Sequence, residues 1–267
     1  MVAINDALQT ITANMASKYA SVLILTWEVL QVIDKFIHYN NELEAQYFME
    51  ITWYEHSCFR LTERSYATVV TDPYDNKSIG YDALKLKADI VTVSHDAPGH
   101  SFTDAVKGAS HTISGAGEFE IGGVFITGVS TDGVSGSKKK GKDVSARNTV
   151  YVFDYDGITV AHLGDLQQVQ TQSEIESLGT INVALVPVGG GGGLNAAKAA
   201  EVISLIEPNI VIPMHYATPS VKVPLESLNK FVKEMGLSKP ETQPSLKVTR
   251  SSLPSETRVV VLEYQAS

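Results

Sequence analysis

DIVTVSHDAPGH, residues 89–100, begins as a five-residue run of strand length and ends in a loop that carries two histidines, His95 and His100. The apolar run bounded by polar and turn-forming residues reads as a buried β-strand. Two imidazoles at the mouth of a strand look like metal ligands, yet Ala97, Pro98 and Gly99 lie between them. In α/β folds the chemistry collects at the C-terminal ends of strands. The stretch therefore suggests both a fold class and a place for a site.

The same arrangement recurs along the chain. Asp165 closes AHLGD after the run ITVAHL, His215 lies in IPMHY after NIVIP, and His56 lies in EHSCF beside the first strand. A lone histidine at a strand end is more often a hydrogen-bonded structural residue than a ligand. Imidazole and carboxylate at several independent strand ends shift that balance, because their convergence on one edge is what a borderline divalent metal needs.

Between these points ITWYE, CFRLTE, ATVVTDP, VFITGV and NTVYVFDYDG alternate with glycine, proline and aspartate at strand-like lengths. NTVYVF and ITVAHL, joined through DYDG, read as a hairpin. From about residue 180 strands and helices alternate: INVALVPV, the helix LNAAKAAEVISLIEP, NIVIPMH, the helix PLESLNKFVKEMG, then SLKVTR and TRVVVLEY. This order predicts a layered α/β domain rather than an all-β sandwich.

Residues 1–48 have a different texture, with Leu8, Ile11, Met15, Leu23, Trp27, Leu30 and Ile33 near helical spacing. They read as a helical extension or a start-site artefact, with Met49 opening the domain that runs over 49–267. The apolar stretch 19–33 is broken by Glu28 and Gln31 and is shorter than the roughly 20 residues a membrane span needs. If the arm exists, its apolar face calls for a partner, which makes a homo-oligomer one expectation.

Across 267 residues the net charge is −9, which repels a phosphate backbone and disfavours nucleic acid as a partner. A small-molecule substrate is expected, with no membrane partner. Cys58, the single cysteine, excludes an intrachain disulfide and fits a reducing, cytoplasmic setting.

The pieces HSCFR (56–60), TDPY (71–74), AHLGDL (161–166), LVPVGG (185–190) and VIPMHY (211–216), in this order, resemble the metallo-β-lactamase fold hydrolases. Within them they are similar to the branch that includes ascorbate-6-phosphate lactonase-like enzymes. The resemblance runs from about Ile51 to Tyr264 and implies a four-layer αββα sandwich with a metal site at one edge between two sheets. The usual metal is zinc, with manganese or iron as alternatives.

The family's motif is H-x-H-x-D-H. Here it spans His95 to His100, with Ala97 in place of the second histidine and Gly99 in place of the aspartate. A further family histidine is absent from STDGVSGSKKKGKDVSARN (130–148).

Carried over residue by residue, the first metal position keeps only His95 and Asp165, and the second keeps His100, Asp165 and His215. The resemblance thus implies one divalent ion, with His95 as a fourth ligand or a hydrogen-bonding neighbour. Asp165 and His95 are the expected catalytic groups. Restoring Ala97→His with Gly99→Asp is expected to raise the metal stoichiometry. Asp72 matches the carboxylate that buttresses the histidine loop; the plainer reading is a turn residue before Pro73. His56 either faces the site or caps the first strand pair. His162 is expected to pack internally, while His111 and His38 read as surface or structural residues.

The implied activity is hydrolysis of an ester, lactone or phosphoester through a metal-bound water. The alternative is a non-catalytic descendant that holds no metal and binds a ligand or partner in the same cleft.

GGGGG at 189–193 lacks the lysine and Ser/Thr of a nucleotide loop and is expected to pass close to the metal edge, with Asn195 capping the next helix. An anionic group on the substrate is a further option there. Lys138, Lys139, Lys140 and Lys142 read as a solvated loop or an anion-attracting lid.

Overall fold

The computed structural model describes residues 48–131 and 148–266, together with Gln31, Asp34 and Lys35. The chain divides into two units, Met1–Tyr47 and Phe48–Ser267. The helical arm, apart from those three residues and Phe48, lies outside the described residues, as do His38 and the lysines at 138–142.

The first half of the second unit runs β1 (Met49–Trp53), β2 (Phe59–Thr62), β3 (Val69–Thr71), α1 (Asn76–Ile79), β4 (Leu86–Lys87), β5 (Ile90–Val93), β6 (Val106–Lys107) and β7 (His111–Ser114). The second half opens with β8 (Gly117–Ile121), β9 (Val124–Thr131), β10 (Asn148–Asp154), β11 (Thr159–His162), α2 (Gln172–Glu176) and β12 (Val183–Pro187). It closes with α3 (Ala196–Ile206), β13 (Ile210–Met214), α4 (Leu228–Glu234), β14 (Glu241–Gln243), β15 (Leu246–Val248) and β16 (Arg258–Leu262).

Two large sheets result. One has the order β15-β1-β2-β3-β5-β7 and the other β14-β16-β13-β12-β11-β10-β9-β8, with β4 and β6 forming a separate ribbon. Strand periodicity explains how they stack. In the first sheet Val69 and Ile90 join the core shared with the second sheet, while their neighbours Val70 and Val91 face the opposite way, into a cluster with Tyr74, Ile79 and Tyr81. β12 and β13 are parallel and buried at every residue, as strands covered on both faces must be. Ala199, Val202 and Ile203 of α3 and Phe231 of α4 belong to the same core as the second sheet. The architecture is a four-layer αββα sandwich whose outer layer on the first sheet is thin.

The β10–β11 hairpin forms through DYDG as its sequence predicts, with Asp156 and Gly157 both at positive φ and the Gly157 amide donating to Asp154 Oδ1 at 2.9 Å. The Tyr151 hydroxyl on β10 ties the sheets together: it accepts from the Gly115 amide at 2.9 Å and lies 3.1 Å from the Val93 carbonyl.

One local expectation differs from the structure. α4 starts at Leu228 rather than near Pro224, because the Glu226 amide donates to the Gly189 carbonyl and the Glu226 carbonyl accepts from Ala217. β15, read from SLKVTR, pairs with β1 at the edge of the first sheet, Met49 opposite Val248. β7, mostly exposed, β8, whose residues are half-buried or exposed, and the short β14 are strands that the sequence reading did not include. No helix among the described residues is long and apolar enough to cross a membrane.

Candidate metal centre

His95 and His100 lie in the loop after β5, Asp165 follows β11, His215 follows β13, and His56 lies in the turn between β1 and β2. Together these elements bring four imidazoles and a carboxylate to one place. Ring centroids are 4.1 Å apart for His95 and His100, 4.2 Å for His56 and His215, and 5.0 Å for His56 and His100. His215 Nδ1 is 3.9 Å from Asp165 Oδ1.

Two triads bring their donor atoms within 4.8 Å of one another: His56, His100 and His215, all buried, and His95, His100 and Asp165. The set His100, Asp165 and His215 expected from sequence is thus shared between two triads that meet at His100.

The loop is held by Asp72, which is fully buried. Its Oδ1 accepts from the Ser94 amide at 2.7 Å, and its Oδ2 accepts from the Ser94 hydroxyl at 2.5 Å and pairs with His100 Nδ1 at 2.7 Å. His100 is therefore left with Nε2 as its free nitrogen, and the carboxylate sets the tautomer that keeps a lone pair there.

Asn148 does the equivalent work for Asp165. Its Oδ1 accepts from the Asp165 amide at 2.9 Å, and its side-chain amide donates to the Leu163 carbonyl at 3.0 Å. The His56 carbonyl accepts both from the Trp53 indole at 3.1 Å and from the His215 amide at 3.1 Å, so two histidines from distant elements share one backbone junction.

Four non-glycine residues here have left-handed backbone: Glu55 (φ 69°), His56 (49°), Asp72 (39°) and His215 (53°). Such conformations cost free energy and persist only where the surroundings impose them, most often at functional sites.

Burial sets the protonation of the cluster. It pushes His215 down to about 3 and His95 down to about 4, with the neighbouring His100 adding to both effects. Burial and then His215, His100 and His95 hold His56 well below the ordinary imidazole range. Burial lifts Asp165 to about 6 against the pull of His100. Burial likewise lifts Glu55, beside His56, to about 7. For Asp72 burial acts upward, but His162, His100 and Ser94 outweigh it and the carboxyl stays below its usual range.

His56, His95 and His215 are thus neutral near pH 7, the form that ligates metal. His56 Nδ1, His215 Nδ1 and Asp165 Oδ1 are buried without a hydrogen-bond partner. Unpaired buried atoms of this kind are costly, and a divalent ion would satisfy them.

The remaining expectations find these places. Asp96 is turned to Ser101, whose hydroxyl donates to Asp96 Oδ1 at 3.0 Å. His162 is fully buried with Nε2 2.9 Å from the Ser57 carbonyl, and His111 is exposed on β7. Asn195 caps α3, accepting from the Lys198 amide at 3.0 Å. The glycine run passes against the site: a Cβ at Gly193 would collide with Asp165 Oδ1. Ser94, Glu55 and Asn148 were not singled out from sequence; each is a common residue type whose partner lies far along the chain.

Residues 50–215 match the model of the beta-lactamase superfamily domain. The chain belongs to the beta-lactamase superfamily. A superfamily member from Thermotoga maritima of known structure is 36% identical and covers 81% of this chain and 100% of its own, with a TM-score of 0.65. A UPF0173 metal-dependent hydrolase of Methanopyrus kandleri is 29% identical over 217 residues, 71% of this chain and 94% of the relative. A UPF0173 protein of Pyrococcus furiosus is 29% identical over 210 residues, 70% of this chain and 90% of the relative.

Proposed function

We propose that the protein is a metal-dependent hydrolase that holds one divalent ion, zinc above manganese or iron, between His100, Asp165 and His215, with His95 at the rim. The observation that carries this reading is the convergence of imidazoles and a carboxylate on one place, with His215 Nδ1 and Asp165 Oδ1 buried without a hydrogen-bond partner. The names of the UPF0173 relatives support the same class. A single ion follows from His100, whose Nδ1 is committed to Asp72, so that one nitrogen serves both triads.

When bound, such an ion acidifies water toward neutrality and polarises the scissile bond. The chain's own part is to hold that arrangement. Asp72 keeps the proton of His100 on Nδ1, and Asn148 orients Asp165 through its amide. Asp165 would offer the ion Oδ1, which is buried without a hydrogen-bond partner. His95, partly exposed and neutral, offers Nε2 to the substrate side, its Nδ1 lying 3.1 Å from the Ser94 hydroxyl.

The substrate class is an ester, lactone or phosphoester of small size, with an anionic group met by the glycine run as one option. The single buried Cys58 supports a reducing, cytoplasmic setting. A second reading, a ligand-binding protein without metal, is favoured by the missing donors at Ala97 and Gly99.

Metal content by elemental mass spectrometry on untagged protein, beside an Asp165→Ala variant, separates the two. About one equivalent in the wild type, lost in the variant, is expected. No metal in either protein, even after incubation with zinc, would leave the ligand-binding reading.

A further inference from the structure

We infer that His56 has taken over the place of the carboxylate missing at Gly99 and is the third protein ligand of a buried His56, His100, His215 site; this rests on the metal-dependent reading above. The first observation is steric. A Cβ built on Gly99 would lie 2.6 Å from His56 Nε2 and 3.0 Å from His56 Cδ2. Real side chains do not approach so closely, so a side chain at 99 and the His56 ring compete for one volume. Gly99 is not among the positive-φ residues, so its backbone does not demand glycine. Glycine there makes room for the ring.

The second observation is how firmly that ring is held. His56 is only 2% exposed, has a left-handed backbone, and its carbonyl is fixed by both Trp53 and His215. Its Nδ1 is nevertheless buried without a partner. Holding an imidazole so tightly with an unsatisfied nitrogen costs free energy that a structural role does not return.

The third observation is the donor geometry. His56, His100 and His215 close within 4.8 Å and are all buried, whereas His95 and Asp165 of the other triad are each partly exposed. Three imidazole nitrogens suit zinc or another borderline ion better than a hard ion that prefers oxygen. Asp165 Oδ1, 3.9 Å from His215 Nδ1 and buried without a hydrogen-bond partner, then stands as a fourth protein donor to the same ion.

The test measures zinc affinity by competition with a chromophoric chelator on metal-stripped full-length protein, in the wild type and in His56→Ala, Gly99→Asp, His56→Ala/Gly99→Asp and Asp165→Ala. Thermal melts of each metal-free protein establish that it folds; where His56→Ala does not, His56→Gln is read in its place. His56→Ala is expected to weaken zinc binding by about 100-fold or more, exceeding the loss typical of a residue that only supports a ligand. Gly99→Asp should weaken it as well, by displacing the ring. The double variant, in which a carboxylate enters the vacated volume, should recover to within about tenfold of wild type.

Wild-type affinity in His56→Ala, or a double variant no better than Gly99→Asp alone, overturns the inference. If zinc binding survives His56→Ala but is lost in Asp165→Ala, the metal-dependent reading stands and the role of His56 falls. If the wild type takes up neither zinc nor, in the same assay, manganese or iron, both fall.

Discussion

Asp72→Asn replaces one oxygen of a fully buried carboxylate with an NH2 group at nearly constant volume, and the structure dictates which one. Oδ1 faces the Ser94 backbone amide at 2.7 Å, a donor that cannot turn away, so the amide oxygen of asparagine must stay there. The NH2 group then occupies the position of Oδ2, 2.7 Å from His100 Nδ1. Two donors cannot share that distance, so His100 must present a lone pair at Nδ1 and carry its proton on Nε2, the nitrogen the site needs unprotonated. The Ser94 hydroxyl can rotate to accept and loses little.

The expected cost to stability is that of one charge-assisted hydrogen bond, about 1.5–3 kcal/mol. Zinc affinity should fall by about 10–100-fold, the range for removal of a carboxylate partner of a ligating histidine. Urea unfolding of the metal-free protein gives the first quantity and chelator competition at neutral pH the second. Unchanged zinc affinity in a variant that folds would refute the tautomer argument, because no alternative placement of the asparagine spares both contacts.

Asn148→Ala removes the acceptor of the Asp165 amide, in a part-buried setting, and the buried donor to Leu163, and should cost about 2–4 kcal/mol in urea unfolding. Full retention of stability would mean that the Asp165 turn holds without it. Tyr151→Phe leaves the Gly115 amide unpaired between the sheets and should cost about 1–3 kcal/mol; a loss below about 0.5 kcal/mol would show that the hydroxyl does not tie them. Glu174 is held below the usual carboxylate range by the Thr171 side chain and then by its backbone amide. Its charged form therefore supports α2 above that range, and the support is lost as the pH falls through the lowered value. Thr171→Ala should move the Glu174 titration, followed by NMR, upward toward an ordinary carboxylate; an unmoved midpoint would reject the capping contact.

Much of the fold can be read locally. The apolar run before His95, the Asp-Gly turn of the β10–β11 hairpin and the Asn195 cap each depend on residues a few positions apart, and each appears where its local chemistry puts it. What escapes reading is what distant partners decide. SLKVTR reads as a strand, but nothing in the run says that β15 pairs with β1, almost two hundred positions earlier; PLESLNKFVKEMG reads as a helix, but α4 loses its first turn to the contact of Glu226 with the glycine run.

The same division runs through the site. Strand ends, the order of the pieces and the gaps at Ala97 and Gly99 are properties of the sequence by itself, and they determined the superfamily and the residues worth examining. Only the tertiary structure decided that His100 has one nitrogen to give, that the donors part into two triads, and that the His56 ring fills the space beside Gly99. Those facts are distances between side chains from different sheets. They follow from how two sheets stack and how far each turn leans in, and no spacing along the chain encodes that.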